Sequence, residues 1–441
     1  MMITRGAILG FAALIAVPAV ACSQDTTQTP RPGVRIGLNY GPGARPGVVV
    51  LPIEQTGGDS IGTIIRRDLD YSDRMDVIQL DSAMRTSIVS PITRRLNYSL
   101  AEKFGASIVI TGHVTLAGVQ IAAYEVASKK KLGAADFTLP NGRDADWRFA
   151  VHGVSDEIER WILGIRGIAQ SRIAFVQEGA IKVVDSDGAE TRTLRGGNGS
   201  LSPAWDYEGK RIVYSVLGDV GTQIFEAEIP NGVPKRISSV QPGLNITPVF
   251  TPDGKAIVYS HGESEGSDLL VSDRSGATHR LTVSNGTDNN SPSFSPDGGQ
   301  IAFVSARTGT PQVYIMDADG TNMQLLAGYD MVMGGYRSSP DWSSDGQTIA
   351  YQQRQGDFQV WMITVRDHVP KQLTAEGENE DPSWAPDARH MVLTSNRGGD
   401  KQIWVLDTET GRFRQVTHSS GARLAAWSPI LGRHPPAMGK P

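Results

Sequence analysis

The sequence predicts a multi-domain protein: an N-terminal α/β domain over residues 34–167, then an all-β six-bladed propeller over 168–432 closed by the C-terminal strand. Three observations lead there. A seven-residue unit combining proline, an aromatic and a turn returns along the second part at intervals of 42 to 48 residues, a period that suits one four-stranded blade. The strands between the copies are offset, so that the first set lacks a partner strand and the last copy supplies one. Before Arg172, short apolar runs alternate with apolar residues at helical spacing, the pattern of mixed strands and helices.

The 441 residues, 39% hydrophobic and 20% charged, provide ample apolar surface for packed domains and exclude a disordered or collagen-like chain. The 49 glycines, with an ordinary 25 prolines, point to many turns. A formal net charge of −5 leaves no basic surplus for a phosphate backbone, so nucleic acid is not an expected partner. A single cysteine, Cys22, excludes an intrachain disulfide and a cysteine zinc cage, and no cofactor is expected.

Residues 1–21 read as an export signal. Arg5 precedes an apolar run from Gly6 to Ala21, broken by Pro18 and ending Ala19-Val20-Ala21. The run is short of the roughly 20 residues of a membrane helix, and no later stretch is long enough to cross a bilayer. An exported location, outside the cytoplasm, follows. Cys22 then stands at the first mature position. Acylation of its thiol and plain cleavage after Ala21 both remain open. Residues 22–33 are a polar leader and 433–441 a tail.

In the α/β domain, Gly47–Ile53 reads as a buried strand. Ser60–Leu69 reads as a helix with Ile61, Ile64, Ile65 and Leu69 on one face. A helix around Arg94–Phe104, strands at Ile108–Thr111 and Val119–Val126, and a closing helix within Trp147–Ile165 complete it.

The repeat units are Pro203–Gly209, Pro248–Gly254, Pro292–Gly298, Pro340–Gly346, Pro382–Ala388 and a degenerate Ala425–Pro429. Proline cannot donate to a strand ladder and belongs on an edge, here the innermost strand facing the channel. The aromatic two residues later shares its face and can wedge between blades. Ser-Pro-Asp-Gly has the residue order of a type I turn. Three-strand sets begin near Arg172, Arg211, Lys255, Gln300, Gln347 and Arg389, so the strand around Ala425-Ala426-Trp427 must complete the blade opened by Arg172–Val176. Ring closure of this kind removes open sheet edges.

Catalytic motifs do not survive this context. Gly262-Glu263-Ser264-Glu265-Gly266 matches a nucleophile elbow, but it joins two strands and reads as a hairpin. Asp185-Ser186-Asp187-Gly188 and Asp317-Ala318-Asp319-Gly320 read as turns, since neither continues to a calcium loop. His152, in the closing helix, reads as a helix-start or packing residue. No metal site is expected. Polar residues gather instead before the proline strands: Asn245 and Thr247; Asp288, Asn289 and Asn290; Arg337 and Ser338; Asn379, Glu380 and Asp381. Blade geometry would collect these loops at one mouth of the channel, as a rim that binds another protein or as plain solvated loops.

Together with the repeats and export signal, three stretches carry a family resemblance: Val34-Arg35-Ile36 with Arg45-Pro46-Gly47-Val48-Val49, the junction His152–Val176, and Trp427-Ser428-Pro429-Ile430-Leu431. The mature chain resembles the TolB family, the periplasmic component of the Tol-Pal system. The resemblance implies a monomeric, non-enzymatic envelope scaffold that helps maintain the outer membrane and its constriction at division. Its mouth would bind a Pal-like lipoprotein through loops that include Leu244, Asn245, Thr247, Asn289 and Asn290. Its N-terminal segment, with Val34, Arg35, Ile36 and Leu38, would bind a TolA-like inner-membrane protein. The alternative is a propeller-type hydrolase (peptidase, lactonase or glycosidase) with a channel site, for which Asp288, Glu380 and Asp381 are the available carboxylates.

Overall fold

The computed structural model describes residues 45–53, 60–90, 95–194, 198–219, 221–237, 243–273, 275, 277–326 and 335–432. The signal, Cys22, the leader, the segment with Val34, Arg35, Ile36 and Leu38, and the tail all lie outside the described residues. Among the described residues no helix is long and apolar enough to cross a membrane.

The first domain contains β1 (Gly47–Val50), α1 (Ser60–Tyr71), β2 (Asp76–Val77), α2 (Ser82–Ser87), α3 (Tyr98–Lys103), β3 (Ile108–Val114), β4 (Gly118–Glu125), β5 (Lys131–Thr138) and α4 (Trp147–Leu163). Its sheet has the order β2-β1-β3-β4-β5, with β1 parallel to both neighbours and the later pairs antiparallel. Successive residues of β1 point to opposite faces, and each face has its own core. Val48 and Val50 meet Ile61 and Ile65 of α1 and Val154 and Ile158 of α4, whereas Val49 meets Ile88 and Ala101.

The helix expected over Arg94–Phe104 is the shorter α3, which starts where the Asn97 side chain accepts the Leu100 N–H at 3.1 Å. The sequence reading did not contain α2 or β5, and each has a reason. Helix α2 buries no residue, so it carries no apolar stripe. Strand β5 is interrupted by Gly133, where a Cβ would stand 2.3 Å from the Trp161 indole. Glycine lets α4 press its largest side chain onto the sheet.

Six four-stranded sheets follow. Blade 1 comprises Arg172–Gln177, Ala180–Asp185 and Arg192–Thr193, with Arg423–Trp427 as its innermost strand. The innermost strands of blades 2 to 6 are Ser200–Trp205, Leu244–Phe250, Asn289–Phe294, Tyr336–Trp342 and Asn379–Trp384. Closure by the last strand is therefore as expected, with Trp427 opposite Ile173 and Ala426 opposite Ala174.

Each repeat aromatic fills the seam between two blades. Trp205 lies with Ala174 and Val176 of blade 1 and Ile212 and Tyr214 of blade 2. Trp427 lies with Val392 and Ile403 of blade 6 and Ile173 and Phe175 of blade 1. Burying side chains of this size contributes about 1.5–3 kcal/mol or more apiece. The seams also carry hydrogen bonds around the ring: Trp342 N–H to Ser293 Oγ at 3.0 Å, Trp384 N–H to Asp341 Oδ2 at 2.6 Å, and Trp427 N–H to Ser383 Oγ at 3.2 Å.

The innermost strands share a further feature. Each holds one non-glycine residue in left-handed backbone conformation: Ser202, Thr247, Ser291, Ser339, Asp381 and Leu424, with φ between 49° and 53°. The strand register slips by one residue at each of these places, as in a β-bulge. In blade 3, Thr247 and Pro248 together take the place opposite Tyr259, whose neighbours Ser260 and Val258 face Ile246 and Val249. Such backbone costs about 1–3 kcal/mol per residue, a cost the surrounding ring has to offset.

Candidate partner-docking site

The chain direction in each blade gives the propeller two structurally different mouths. The first-to-second strand turns and the third-to-fourth strand turns lie at one end, here the turn mouth. The starts of the innermost strands and the second-to-third strand hairpins lie at the other, the open mouth. Side-chain links from the α/β domain to the propeller, among the described residues, come from the turn side of blades 1 and 6. Arg74 reaches Asp387 at 3.1 Å, Arg412 reaches Asp73 at 2.9 Å and Asp70 at 2.7 Å, and Arg67 and Arg148 both reach Asp187.

The open mouth gathers the residues singled out from the sequence, from blades 3, 4, 5 and 6, but they do not all face outward. Asn245, Asn289 and Asn379 are each 0% exposed. Asn289 donates to Ser267 O at 3.1 Å and Asp268 Oδ1 at 3.3 Å, and accepts from Arg307 at 3.3 Å. Asn379 repeats this two blades on, with Gln359, Glu376 O and Arg397 as partners. Asn245 donates to Thr222 O at 3.1 Å and pairs its oxygen with His261 Nδ1 at 2.8 Å. These three amides fasten the starts of the innermost strands of blades 3, 4 and 6 to the adjoining blade hairpins. Their side chains shape the rim from behind and are not themselves a contact surface. Ser338 is buried as well.

Leu244 is 50% exposed, Asp288 is exposed and accepts from Ser267 Oγ at 3.0 Å, and Asn290 is half-buried. Glu380 pairs with Lys401, and Arg337 donates to Gln353 Oε1 at 3.0 Å. Thr247 and Asp381 lie deeper, at the bulges. The sequence reading missed Leu217 and Tyr336, both exposed at this same mouth. Tyr336 packs edge-on against Phe358, ring centres 5.8 Å apart. The signal available was an apolar residue beside glycine at a hairpin tip (Leu217-Gly218) or at a strand start (Gly335-Tyr336).

From the bulges to the turn mouth runs a cavity of about 440 Å³, walled by the bulge residues, the repeat prolines and aromatics, and Tyr207. Its charged lining is acidic: Asp206, Asp341 and Asp381. Asp206 is neutralised by Arg211 at 2.8 Å. Desolvation raises Asp341 to about 6, although the Trp384 N–H and the Ser383 and Ser293 hydroxyls pull the other way. Desolvation and the charge of Glu380 raise Asp381 to about 6. Asp341 is occupied with seam hydrogen bonds, and Thr394 donates to Asp381 at 3.3 Å.

The suspected elbow at Gly262–Gly266 is the hairpin between strands Ala256–Glu263 and Gly266–Asp273, as expected. Asp187 and Asp319 do what turn chemistry asks, accepting from Ala189 and Thr321 N–H at 3.0 and 2.9 Å. Among the described residues, two groups bring ligand-type atoms within 4.8 Å of one another: Asp68, His152 and Asp187, and Asp73, His390 and Asp407. Guanidinium groups already occupy both, Arg67 and Arg148 on Asp187, Arg412 on Asp73 and Arg389 on Asp407. With those carboxylates already paired to guanidiniums, neither donor set fits a metal ion.

Residues 160–431 match the family described as TolB beta propeller domain. The Tol-Pal system protein TolB of Gluconobacter oxydans (strain 621H) is 28% identical over 457 residues, spanning 98% of this chain and 97% of that protein. Its counterpart in Pasteurella multocida (strain Pm70) is 29% identical over 226 residues, 47% of this chain and 51% of that protein. The crystal structure of TolB from Acinetobacter baumannii has the same fold, with a TM-score of 0.76, 24% identity, and coverage of 88% of this chain and 97% of that one.

Proposed function

The chain belongs to the TolB beta propeller domain family, and from that premise we propose that it is a non-enzymatic periplasmic scaffold of a Tol-Pal system. In this reading the open mouth docks a Pal-like lipoprotein. The segment with Val34, Arg35, Ile36 and Leu38 engages a TolA-like inner-membrane protein, and the pairing helps hold the outer membrane during constriction. The observation that carries the reading is the inequality of the two mouths. The α/β domain is fastened at the turn mouth, while the opposite rim presents Leu217, Leu244 and Tyr336 among mixed charges. Exposed apolar side chains inside a polar rim are what a protein partner buries. The channel carboxylates engage their own ring, which favours a scaffold over a hydrolase.

The test is a pull-down from detergent-solubilised envelopes with the mature chain, alongside Leu244→Asp and Tyr336→Asp. The scaffold reading expects a Pal-like lipoprotein to be retained by the parent chain and lost with the two rim variants. Equal retention by all three would refute the assignment of the rim. Turnover of ester or lactone substrates by the purified protein would refute the non-enzymatic role. The intact mass of the mature protein reads whether Cys22 carries acyl chains.

A further inference from the structure

Two histidines lie buried where the α/β domain meets the propeller, and they cross the boundary in opposite senses. His152 of α4 is 0% exposed. Its Nδ1 lies 2.8 Å from Asp68 Oδ2 of α1, and its Nε2 faces Asp187 Oδ2 of blade 1 at 3.6 Å. His390 of blade 6 is 1% exposed. Its Nδ1 lies 2.8 Å from Asp387 Oδ2 on its own blade, and its Nε2 lies 3.3 Å from Asp73 Oδ2 of the α/β domain.

A neutral imidazole has one N–H and one lone pair. With a carboxylate oxygen before each ring nitrogen, the neutral form would point its lone pair at a negative charge. Only the doubly protonated ring turns an N–H toward the carboxylate on each side, in hydrogen bonds for His390 and, for His152, in a hydrogen bond to Asp68 and an ion-pair contact with Asp187. We infer that His152 and His390 are imidazolium ions in the native protein and that each ties the α/β domain to the propeller as a two-sided ionic clamp.

Charged groups from both domains surround each ring. Around His152 stand Asp68 and Arg67 from α1, Arg148 from α4, Asp185 and Asp187 from blade 1, and Arg172, which bonds Asp185 at 3.0 Å. Around His390 stand Asp73 and Arg74 from the α/β domain, Glu159 from α4, and Asp387, Arg389, Asp407 and Arg412 from blade 6. Buried atoms without a hydrogen-bond partner collect on the first group: Arg67 Nε, Arg148 Nε, His152 Nε2, Asp68 Oδ1 and Asp185 Oδ2. A proton on Nε2 replaces the lone pair facing Asp187 Oδ2 at 3.6 Å by a positive N–H edge, an ion-pair contact rather than a hydrogen bond.

Desolvation alone would lower His152. The charge and hydrogen bond of Asp68, with Asp187 and Asp185, overcome it and raise the ring to about 9. His390 is raised as well, against desolvation, by Asp387 and Asp73. A histidine raised above its ordinary 6.5 contributes stability that is complete below that pH and lost as pH climbs through the folded value. The His152 clamp therefore holds at neutral pH and releases near pH 9.

The experiment is imidazole 15N and 13C NMR of the mature protein from pH 6 to 10.5. Signals are assigned with His152→Gln and His390→Gln or, if either fails to fold, by correlation to the backbone. The inference expects both rings to show imidazolium shifts at pH 7.5, with the His152 midpoint about 2.5 units above an exposed histidine. It also expects cleavage between Gly164 and Ser171 by added protease to accelerate at least about tenfold between pH 7.5 and 10, and in either variant at pH 7.5. Neutral rings at pH 7.5, or an unchanged cleavage rate, would overturn it. Uptake of one equivalent of zinc with loss of the ring protons would overturn it too, in favour of a metal site.

Discussion

Replacing Trp427 with alanine tests the closure of the ring at the joint made by its last strand. Trp427 is 6% exposed and fills the seam between blades 6 and 1 against Ile173, Phe175, Val392 and Ile403. Its indole N–H donates to Ser171 Oγ at 2.8 Å, in the segment that enters the propeller. Removing a buried tryptophan costs about 3–5 kcal/mol, and the lost hydrogen bond adds about 1 kcal/mol. That is a large part of the roughly 5–15 kcal/mol that stabilises an ordinary domain. The strand Arg423–Trp427 is also the last in the chain to join a sheet, so a weakened seam frees it from Ile173 and Ala174. Urea unfolding should show a loss of about 4–6 kcal/mol. Amide exchange should accelerate in Ile173–Val176 before it does in the strands of blade 4. The matched Trp342→Ala variant, in the seam between blades 4 and 5 and away from Ile173–Val176, should lose similar stability without that local exchange. A cost below about 1 kcal/mol, or exchange in Ile173–Val176 no faster than in blade 4, would refute closure by this strand.

Two further outcomes follow from the rim and the channel. Asn289→Ala leaves Asp268, Arg307 and Ser267 O short of a partner, so unfolding should show a loss of about 1–3 kcal/mol; while folded, the variant should bind its partner within about threefold of the parent, since the side chain is fully buried. Asp341, raised to about 6 by desolvation, favours the native state when protonated, so its contribution is present below the ordinary carboxylate value and lost as pH rises through 6. Asp341→Asn should therefore gain stability relative to the parent between pH 4.5 and pH 8, read from paired urea curves; a constant difference would contradict the assignment.

The ring was legible in the sequence because its parts are local and repeat: proline, an aromatic two residues on, a tight turn, a hydrophobic strand. Six copies and an offset of one strand were enough to count the blades and identify the closing strand. The bulges were not legible, because a left-handed serine or threonine before proline looks like any other residue until strand register is known. The asparagines show the opposite limit. Asn245, Asn289 and Asn379 are polar and precede strands, which reads as a solvated rim, but arginines or a histidine from the blade hairpins bury them. Only the fold brings Arg307 to Asn289 or His261 to Asn245. The domain boundary had the same difficulty. Asp187 satisfies its own turn, and nothing local discloses that Arg67 and Arg148 from the other domain also reach it.

Hydrogen-exchange mapping of the mature protein with and without a purified Pal-like lipoprotein from the same envelope bears most directly on the proposed scaffold role. The account predicts protection confined to the open mouth, in the loops leading into Leu244, Asn289, Tyr336 and Asn379, with the turns at Ser295–Gly298 and Ser343–Gly346 unchanged. Protection at those turns instead, or no protection at saturating lipoprotein, would contradict it.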